Sequence, residues 1–473
     1  NLMKNYQLAW RNLWRNKRRT LITAASVFFA VFFALVMRSF QLGTYEKMYR
    51  DVIESYSGYL QLQHSDYLDE SNLDNGFVLE QSLTEIIEAD PNVTGVIPKL
   101  ESFALAAAGS RTQGVMVIGM DPDNEQKTLN IKNRLIKYRL TPGAAEALRG
   151  ENLPARTAKL VDVFSGEAWT DEKSLVSDLG IGDDDSAAVM PLFRKHASLE
   201  NSYLTSADSG SAVIGYGLSR YLSADVGDTL VVMGQGYHGV SAAGLFVIKG
   251  IVSMPNPEID NAFVYITLAD AQYLYAATDM VTSAIISISD TDDRELLQTQ
   301  QRLAASCNDG LVIRNWKEMN ALLLNQMEAD NKSGAIMIGI LYLVIAFGVF
   351  GTVLMMMAER RREFGMLVSI GMQKRKLAGI VGMEMLFIGL LGVLAGIAAS
   401  LPIVYYGYAR PLRFTGEMAK MYEEYGFEPV MPMLPPDTYY LWQAVIVLLI
   451  LLIAIAFSVR RIFKLNIINA LRA

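Results

Sequence analysis

Cysteine is almost absent. A single residue in 473, Cys307, excludes an internal disulfide framework and a cysteine-based zinc site. Histidine is nearly as scarce, and His64, His196 and His238 lie far apart, so no metal centre is expected. No G-x-x-x-x-G-K-[ST] phosphate-binding loop occurs, so the chain is expected to hold no nucleotide cofactor of its own. No set of nucleophile, base and orienting residue stands out, so no catalytic residue is assigned and the chain is not read as an enzyme. Nucleic acid is not an expected partner.

Charge is thin as well, at 19% of residues against about 25% in soluble domains. Hydrophobic residues make up 51% and the mean hydropathy is +0.22. That average hides four uncharged runs, at 20–37, 334–358, 385–409 and 441–459. Each is 18 residues or longer, against the roughly 20 that cross a hydrocarbon core of about 30 Å. The chain is therefore read as an α-helical membrane protein with four transmembrane helices. Membrane lipid is its surrounding solvent.

Charge segregation gives an orientation. The stretch before the first run, residues 359–376 after the second, and the tail after the fourth hold 16 basic and 2 acidic residues. The remainder holds 26 basic and 47 acidic. Short Lys/Arg-rich flanks stay in the cytoplasm, so both termini and the middle link are expected inside and the acidic bulk outside. The first run is longer than the 7–15 residues of a signal-peptide core, and Arg38-Ser39-Phe40-Gln41 is not a small-residue cleavage site, so an uncleaved anchor is expected. Arg38 is expected to snorkel, and Tyr439, Tyr440 and Trp442 to form an interfacial aromatic belt.

The expected organisation follows: a cytoplasmic amphipathic helix at 1–19, spans at 20–42, 334–358, 377–409 and 439–459, a large α+β extracytoplasmic domain at 43–333 between the first and second spans, a cytoplasmic loop at 359–376, a short outer loop at 410–438 and a cytoplasmic tail at 460–473. Within 43–333, alternating or β-rich runs at 59–63, 114–119, 228–233, 244–252, 262–266 and 283–289 predict strands, with helices at 267–275 and 294–307. A polar, strand-poor stretch at about 132–208 reads as an inserted lobe. Gly234-Gln235-Gly236-Tyr237-His238-Gly239 satisfies GxGxxG, but another strand follows where a dinucleotide site needs a helix, so a hairpin loop is the favoured reading. Asp183-Asp184-Asp185 and Asp121-Pro122-Asp123-Asn124-Glu125 lack calcium-loop spacing and read as solvated turns. Trp316, Met319, Leu322, Leu323 and Met327 fall at helical spacing, which predicts an amphipathic helix running unbroken into the second span.

The most informative segment is Glu359-Arg360-Arg361-Arg362-Glu363-Phe364-Gly365-Met366-Leu367-Val368-Ser369-Ile370-Gly371, followed by Lys374-Arg375-Lys376. Phe364, Leu367, Val368 and Ile370 can share one apolar face, and Gly371 can end the helix. Such an interfacial helix either anchors to lipid phosphates or docks on a cytoplasmic partner. Glu384, in the third span, and Gly389, Gly392 and Gly396 beyond it mark a functional or close-packing position, with Lys374, Arg375 and Lys376 the nearest cations to Glu384 in sequence.

The 359–371 segment resembles the E-R-x-x-E-[FIG]-G-x-L-x-[AS]-[IL]-G signature between the second and third spans of FtsX-like ABC permeases. That family includes lipoprotein-releasing membrane subunits, macrolide-export permeases with a MacB-like periplasmic core domain, and the cell-division permease. Leu8 to Thr20 resembles the family's amino-terminal amphipathic helix, and Asn469-Ala470-Leu471-Arg472 its ending, with Ile467 where the family usually has Pro. Val226-Gly227-Asp228-Thr229, Gly119-Met120-Asp121-Pro122 and Glu258-Ile259-Asp260 resemble stretches of its exterior domain. The 132–208 stretch departs from the lipoprotein-releasing subunits by its length.

The resemblance implies a mechanotransmitting half-transporter of the bacterial inner membrane. Two permease chains, identical or homologous, pair above two copies of a separate ABC ATPase, which carries the ATP and Mg. Glu359, Arg360, Arg361, Glu363, Phe364, Gly365, Leu367 and Gly371 would then form the ATPase-coupling helix, with Phe364 and Leu367 as buried contact and Arg360, Arg361 and Glu363 as its polar rim. Lipoprotein release is the leading expectation, with a periplasmic lipoprotein carrier or a membrane-fusion protein as exterior partner. The alternatives are tripartite efflux of drugs or peptides, and non-transport regulation of a cell-wall hydrolase or sensor.

Overall fold

The computed structural model describes residues 17–126, 128–307, 310–424 and 428–464. The expected amphipathic helix at 8–20 lies outside the described residues apart from its last turn, and the ending at 467–472 lies wholly outside them.

Among the described residues, four helices are long and apolar enough to cross a membrane: Thr20–Ser57, Ala321–Glu359, Lys374–Ala409 and Thr438–Phe463. At 1.5 Å per residue, helices of 36 to 39 residues run for about 54–58 Å, nearly twice the hydrocarbon thickness. In these three helices the apolar run therefore fills one end and a more polar stretch extends the other, residues 38–57 after the first run, 321–333 before the second and 374–384 before the third. Two compact units divide the chain, one of residues 1–46, 325–412 and 431–473, the other of residues 47–324 and 413–430.

In the first unit the four helices share one apolar core, including Val27, Val31, Leu35, Tyr342, Val349, Val381, Ile388 and Leu451. Arg38 does not snorkel freely: its guanidinium donates to Gln41 Oε1 and to Asn331 Oδ1, both at 2.8 Å, joining the first helix to the second. The expected aromatic belt is corrected too. Tyr439 and Tyr440 are buried, Tyr439 donating to the Leu434 carbonyl at 3.0 Å and Tyr440 lying 3.2 Å from Ser400 Oγ, and only Trp442 is exposed. Satisfying both hydroxyls within the bundle outweighs placing them at an interface.

The second unit is α+β. Nine strands form one mixed sheet: β1 (Leu60–His64), β2 (Val93–Ala108), β3 (Arg111–Met120), β4 (Ser211–Gly215), β5 (Thr229–Gln235), β6 (Ser241–Val252), β7 (Phe263–Thr267), β8 (Ser283–Ile288) and β9 (Leu311–Asn315). Their order is β9-β1-β8-β2-β3-β7-β4-β6-β5, and β5 pairs back onto β2 through residues 231–234 and 104–107, closing six strands into a ring. The closure removes the sheet edge at β5 and encloses a core of Val115, Val117, Ile214, Val232, Phe246 and Ile266. In β1 both faces are covered: Leu60 and Leu62 enter a core, while Gln61 Nε2 donates to the Ser57 carbonyl and Gln63 Nε2 to Gln61 Oε1, each at 2.7 Å. Alternation there separates apolar from hydrogen-bonded faces, not inside from outside.

GxGxxG forms the hairpin between β5 and β6, with Gln235 opposite Ser241. Gly236 fits because a Cβ would come within 2.6 Å of the Tyr275 carbonyl oxygen, and Gly239 takes a φ of +78°. The 132–208 stretch contains helices Pro142–Arg149, Ala155–Val163, Glu172–Asp178 and Asp183–His196 around a core of Leu140, Leu148, Phe164, Trp169 and Phe193. The 183–185 stretch is thus not a turn but the opening of a helix, where the negative charges of Asp184 and Asp185 suit the N-terminal dipole. The run into the second span is unbroken from Ala321 to Glu359, carrying Leu322, Leu323 and Met327, and is corrected at its start: a capping box, Asn315 with Glu318, starts a separate short helix Trp316–Met319, which Asn320 interrupts, and Leu322 is 82% exposed.

Candidate functional site

The second span ends at Glu359, and Arg360 takes a non-helical φ of -95° and ψ of 7° that turns the chain into the helix Arg361–Ser369. That helix stops in a Schellman motif. Met372 N–H donates to the Leu367 carbonyl at 3.0 Å and Gly371 N–H to that of Val368 at 3.1 Å, with Gly371 at φ +103°. The third span, Lys374–Ala409, begins after Met372 and Gln373. A short helix is thus held between two long ones by glycine conformation and backbone hydrogen bonds.

Its two faces differ from the expected division of labour. Phe364 is fully buried, packed in the same core as Leu377, Ala378 and Val381, and Gly365 beside it is buried. Phe364 is therefore an anchor for the loop itself and not a contact offered to a partner. Arg360 also faces inward. Its guanidinium lies 5.2 Å from the Phe364 ring and donates to Glu384 Oε2 at 2.8 Å and to Glu363 Oε2 at 3.1 Å. What remains outward is Arg361, Arg362, Met366, Leu367 and Ile370, the last 84% exposed, with Arg375 and Lys376 beyond the turn.

Glu384 is 1% exposed and pairs with Arg360, 24 residues earlier. Proximity in sequence favours Lys374, Arg375 and Lys376, but even the nearest of these is eight residues back, about 12 Å along a helix. The usable signal is an acid in an otherwise uncharged segment, which requires a buried cation brought by a different element.

The glycines of the third span carry the packing. A Cβ on Gly392 would lie 2.7 Å from both the Ala24 carbonyl oxygen and Val27 Cβ, and one on Gly396 would lie 2.9 Å from Val31 Cβ. These two therefore admit the first helix at close approach, while Gly389 admits Leu451 of the fourth.

A second polar centre, unsuspected from sequence, ties the end of the first long helix to the sheet within the α+β unit. Tyr56, in the π-turn Ile53–Ser57, donates to Glu101 Oε2 at 2.8 Å, Tyr67 donates to Oε1 at 2.8 Å, and Lys99 pairs with Oε2 at 2.9 Å. Burial pushes the Glu101 carboxyl up, but the Lys99 ammonium and the two hydroxyls outweigh it and hold it below the ordinary range. Elsewhere in the unit, Lys47 pairs with Glu428 at 2.5 Å, and Arg413 pairs with Glu167 at 3.0 Å and Asp178 at 3.2 Å. The 413–430 segment thus grips both the first helix and the helical lobe.

Glu258-Ile259-Asp260 also has a structural task. Asp260 accepts N–H groups from Met254 at 2.7 Å, Tyr216 at 3.1 Å and Gly217 at 2.6 Å, while burial pushes its carboxyl up to about 6. Among the described residues no group of three or more His, Cys, Asp or Glu side chains is placed to hold a metal ion.

Residues 335–467 match the FtsX-like permease C-terminal family. That segment is an FtsX-like permease domain. It contains the Arg361–Ser369 helix, the Arg360–Glu384 pair and all three packing glycines. The chain is also 24% identical, over 192 residues, to the lipoprotein-releasing system transmembrane protein LolC of Neisseria meningitidis serogroup B. The match covers 39% of this chain and 46% of the relative, so the chain spans about half the length of the curated relative it matches. Among solved structures, the periplasmic region of MacB from Actinobacillus actinomycetemcomitans is 10% identical with a TM-score of 0.31, covering 59% of this chain and 98% of that one. The extracellular domain of the noncanonic ABC-type transporter YknZ from Gram-positive bacteria is 8% identical with a TM-score of 0.29, covering 55% and 100%.

Proposed function

We propose that this chain is the membrane subunit of an ATP-driven ABC transporter of the bacterial inner membrane, with both termini cytoplasmic and the α+β unit periplasmic. A separate ATPase, in two copies, binds ATP and Mg and docks on the Arg361–Ser369 helix, and a second permease chain completes the assembly. One observation carries this reading: a short helix fixed between two spans by buried Phe364 and the Arg360–Glu384 pair presents Met366, Leu367 and Ile370 outward among Arg361 and Arg362. An apolar centre with a basic rim is the composition of a protein-docking surface.

In this mechanism the ATPase moves a rigid loop. Because Arg360 and Phe364 fasten that loop to the third span, its displacement passes to the long helices. The most suitable cargo is a lipoprotein, released from the outer leaflet, a reading supported by the likeness to LolC. Efflux of drugs or peptides and regulation of a cell-wall hydrolase or sensor are the competing outcomes.

The test is a Leu367→Glu, Ile370→Glu variant in the native host. The variant should insert in the membrane and lose co-purification of the ATPase; retained co-purification refutes the docking surface. Depletion of the permease should then leave lipoproteins in the inner membrane, and an unchanged distribution would favour efflux or regulation.

A further inference from the structure

The α+β unit holds an apolar cavity that the proposed transport cycle does not use. It measures about 340 Å³ and lies between β2, β3 and the helix Pro257–Ala262, with Phe103, Val115, Met116, Ile118, Ile259 and Phe263 among its lining. That volume falls within the range of sites for small ligands. Tyr56 also lines it and is pre-organised, its hydroxyl donating to Glu101 Oε2 at 2.8 Å and approaching Met116 Sδ at 3.2 Å.

The mouth is apolar too. Phe103 is 64% exposed, and Leu105, two residues along the same face of β2, is exposed opposite Met233 of β5, which is exposed as well. A hydrocarbon chain entering the cavity would find a continuous apolar track on this outer face. The one charged side chain of the lining is Glu258, which is exposed on the adjoining helix and has no ion-pair partner among the described residues. Among the described residues no cationic side chain lines the cavity. An anionic head group would meet this carboxylate unfavourably, whereas a cationic one would be paired by it.

We propose that this cavity binds the alkyl chain of a single-chain cationic amphiphile, with the tail between β2, β3 and the Pro257–Ala262 helix and the head beside Glu258. The inference stands apart from the permease reading, since every residue it uses belongs to the α+β unit.

The probes are n-alkylamines carrying a terminal diazirine, with chains of increasing length, photolysed with the full chain in phosphatidylcholine nanodiscs. Labelled peptides are mapped by mass spectrometry. Labelling should fall within 103–118 and 257–263, and apparent affinity should rise about fourfold per added methylene until the cavity is full and then level off. Affinity that keeps climbing with chain length reports partition into the bilayer and overturns the proposal. Ala262→Trp, which fills the cavity, should reduce labelling at least tenfold. Glu258→Lys should reverse the preference from alkylamine to alkyl carboxylate, an outcome a misfolded protein cannot give. Undiminished labelling in A262W, or an unchanged head-group preference in E258K, would refute the site.

Discussion

Replacing Glu384 by Gln leaves the Arg360 guanidinium buried with its strongest acceptor neutralised. The two groups are 2.8 Å apart, with Glu384 1% and Arg360 10% exposed by side chain, so water screens the pair little. Breaking a buried pair from one side costs about 3–5 kcal/mol. Glu363, 3.1 Å from Arg360 Nε but 46% exposed, retains part of the interaction and sets the expectation near 3 kcal/mol. At 1.4 kcal/mol per decade that is a change of roughly 150-fold in the equilibrium between docked and released loop. The first assay is hydrogen exchange of the 361–371 amides in nanodiscs, where E384Q should accelerate exchange by about two decades while the Thr438–Phe463 helix stays protected. Arg360→Met with Glu384→Leu should recover most of the protection, because both charges leave together. Under the proposed function, stimulation of the partner ATPase should follow the same order: wild type, double variant, E384Q. Exchange in E384Q within threefold of wild type would refute the claim that this pair fastens the loop. A double variant no better than E384Q would show that the two residues act independently.

Gly392→Ala should destabilise the bundle by about 1–3 kcal/mol, read as a lower thermal midpoint in detergent, because the new methyl meets the Ala24 backbone. Gly339→Ala, with nothing within 4 Å of its Cβ position, should be neutral or slightly stabilising in the same assay. The buried Glu125, whose Oε2 accepts from Tyr203 at 2.5 Å, is pushed by burial from 4.5 up to about 7. A raised carboxyl stabilises the fold fully below its unfolded value near 4.5, and that contribution is lost as pH rises through about 7. Unfolding of the α+β unit should therefore become easier between pH 5 and 8, and Glu125→Gln should flatten the profile. For topology, the thiol introduced by Asp184→Cys in a Cys307→Ser background should react with a membrane-impermeant maleimide from the periplasmic side; labelling only after the inner membrane is opened would reverse the orientation.

Six of the nine strands of the α+β unit were legible because β-branched and alternating runs ended at turn residues, and Asp121-Pro122 does close β3, whereas β2, β4 and β9 were not read from the sequence. The ring closure was not, since residues 104–107 pairing with 231–234 depends on how far β2 bends and not on any local pattern. The 359–371 segment shows the same division. Helical spacing and Gly371 located its helix and its stop, but placed Phe364 and Leu367 on one working face. Phe364 went inward because the Arg360 turn and the Schellman motif rotate the helix against the third span, which no single-helix projection contains. Residue type alone points Tyr439 and Tyr440 to an interface, and the bundle instead supplies partners for both hydroxyls.

By itself the sequence determined the solvent of each segment, because transfer free energy is summed residue by residue: four apolar runs, a basic rim of 16 cations against 2 acids, and an acidic remainder. It also determined where the Arg361–Ser369 helix stops, at Gly371, and where the GxGxxG hairpin turns, since glycine's access to positive φ is a local property. Tertiary structure alone decided which charges neutralise each other and which apolar side chains remain available. Glu384 meets Arg360 across 24 residues, and the residues left for a partner are Met366, Leu367 and Ile370. The physical reason is that desolvating a charge is tolerated only when a partner is held within hydrogen-bonding reach, and that reach is set by the packing of whole elements.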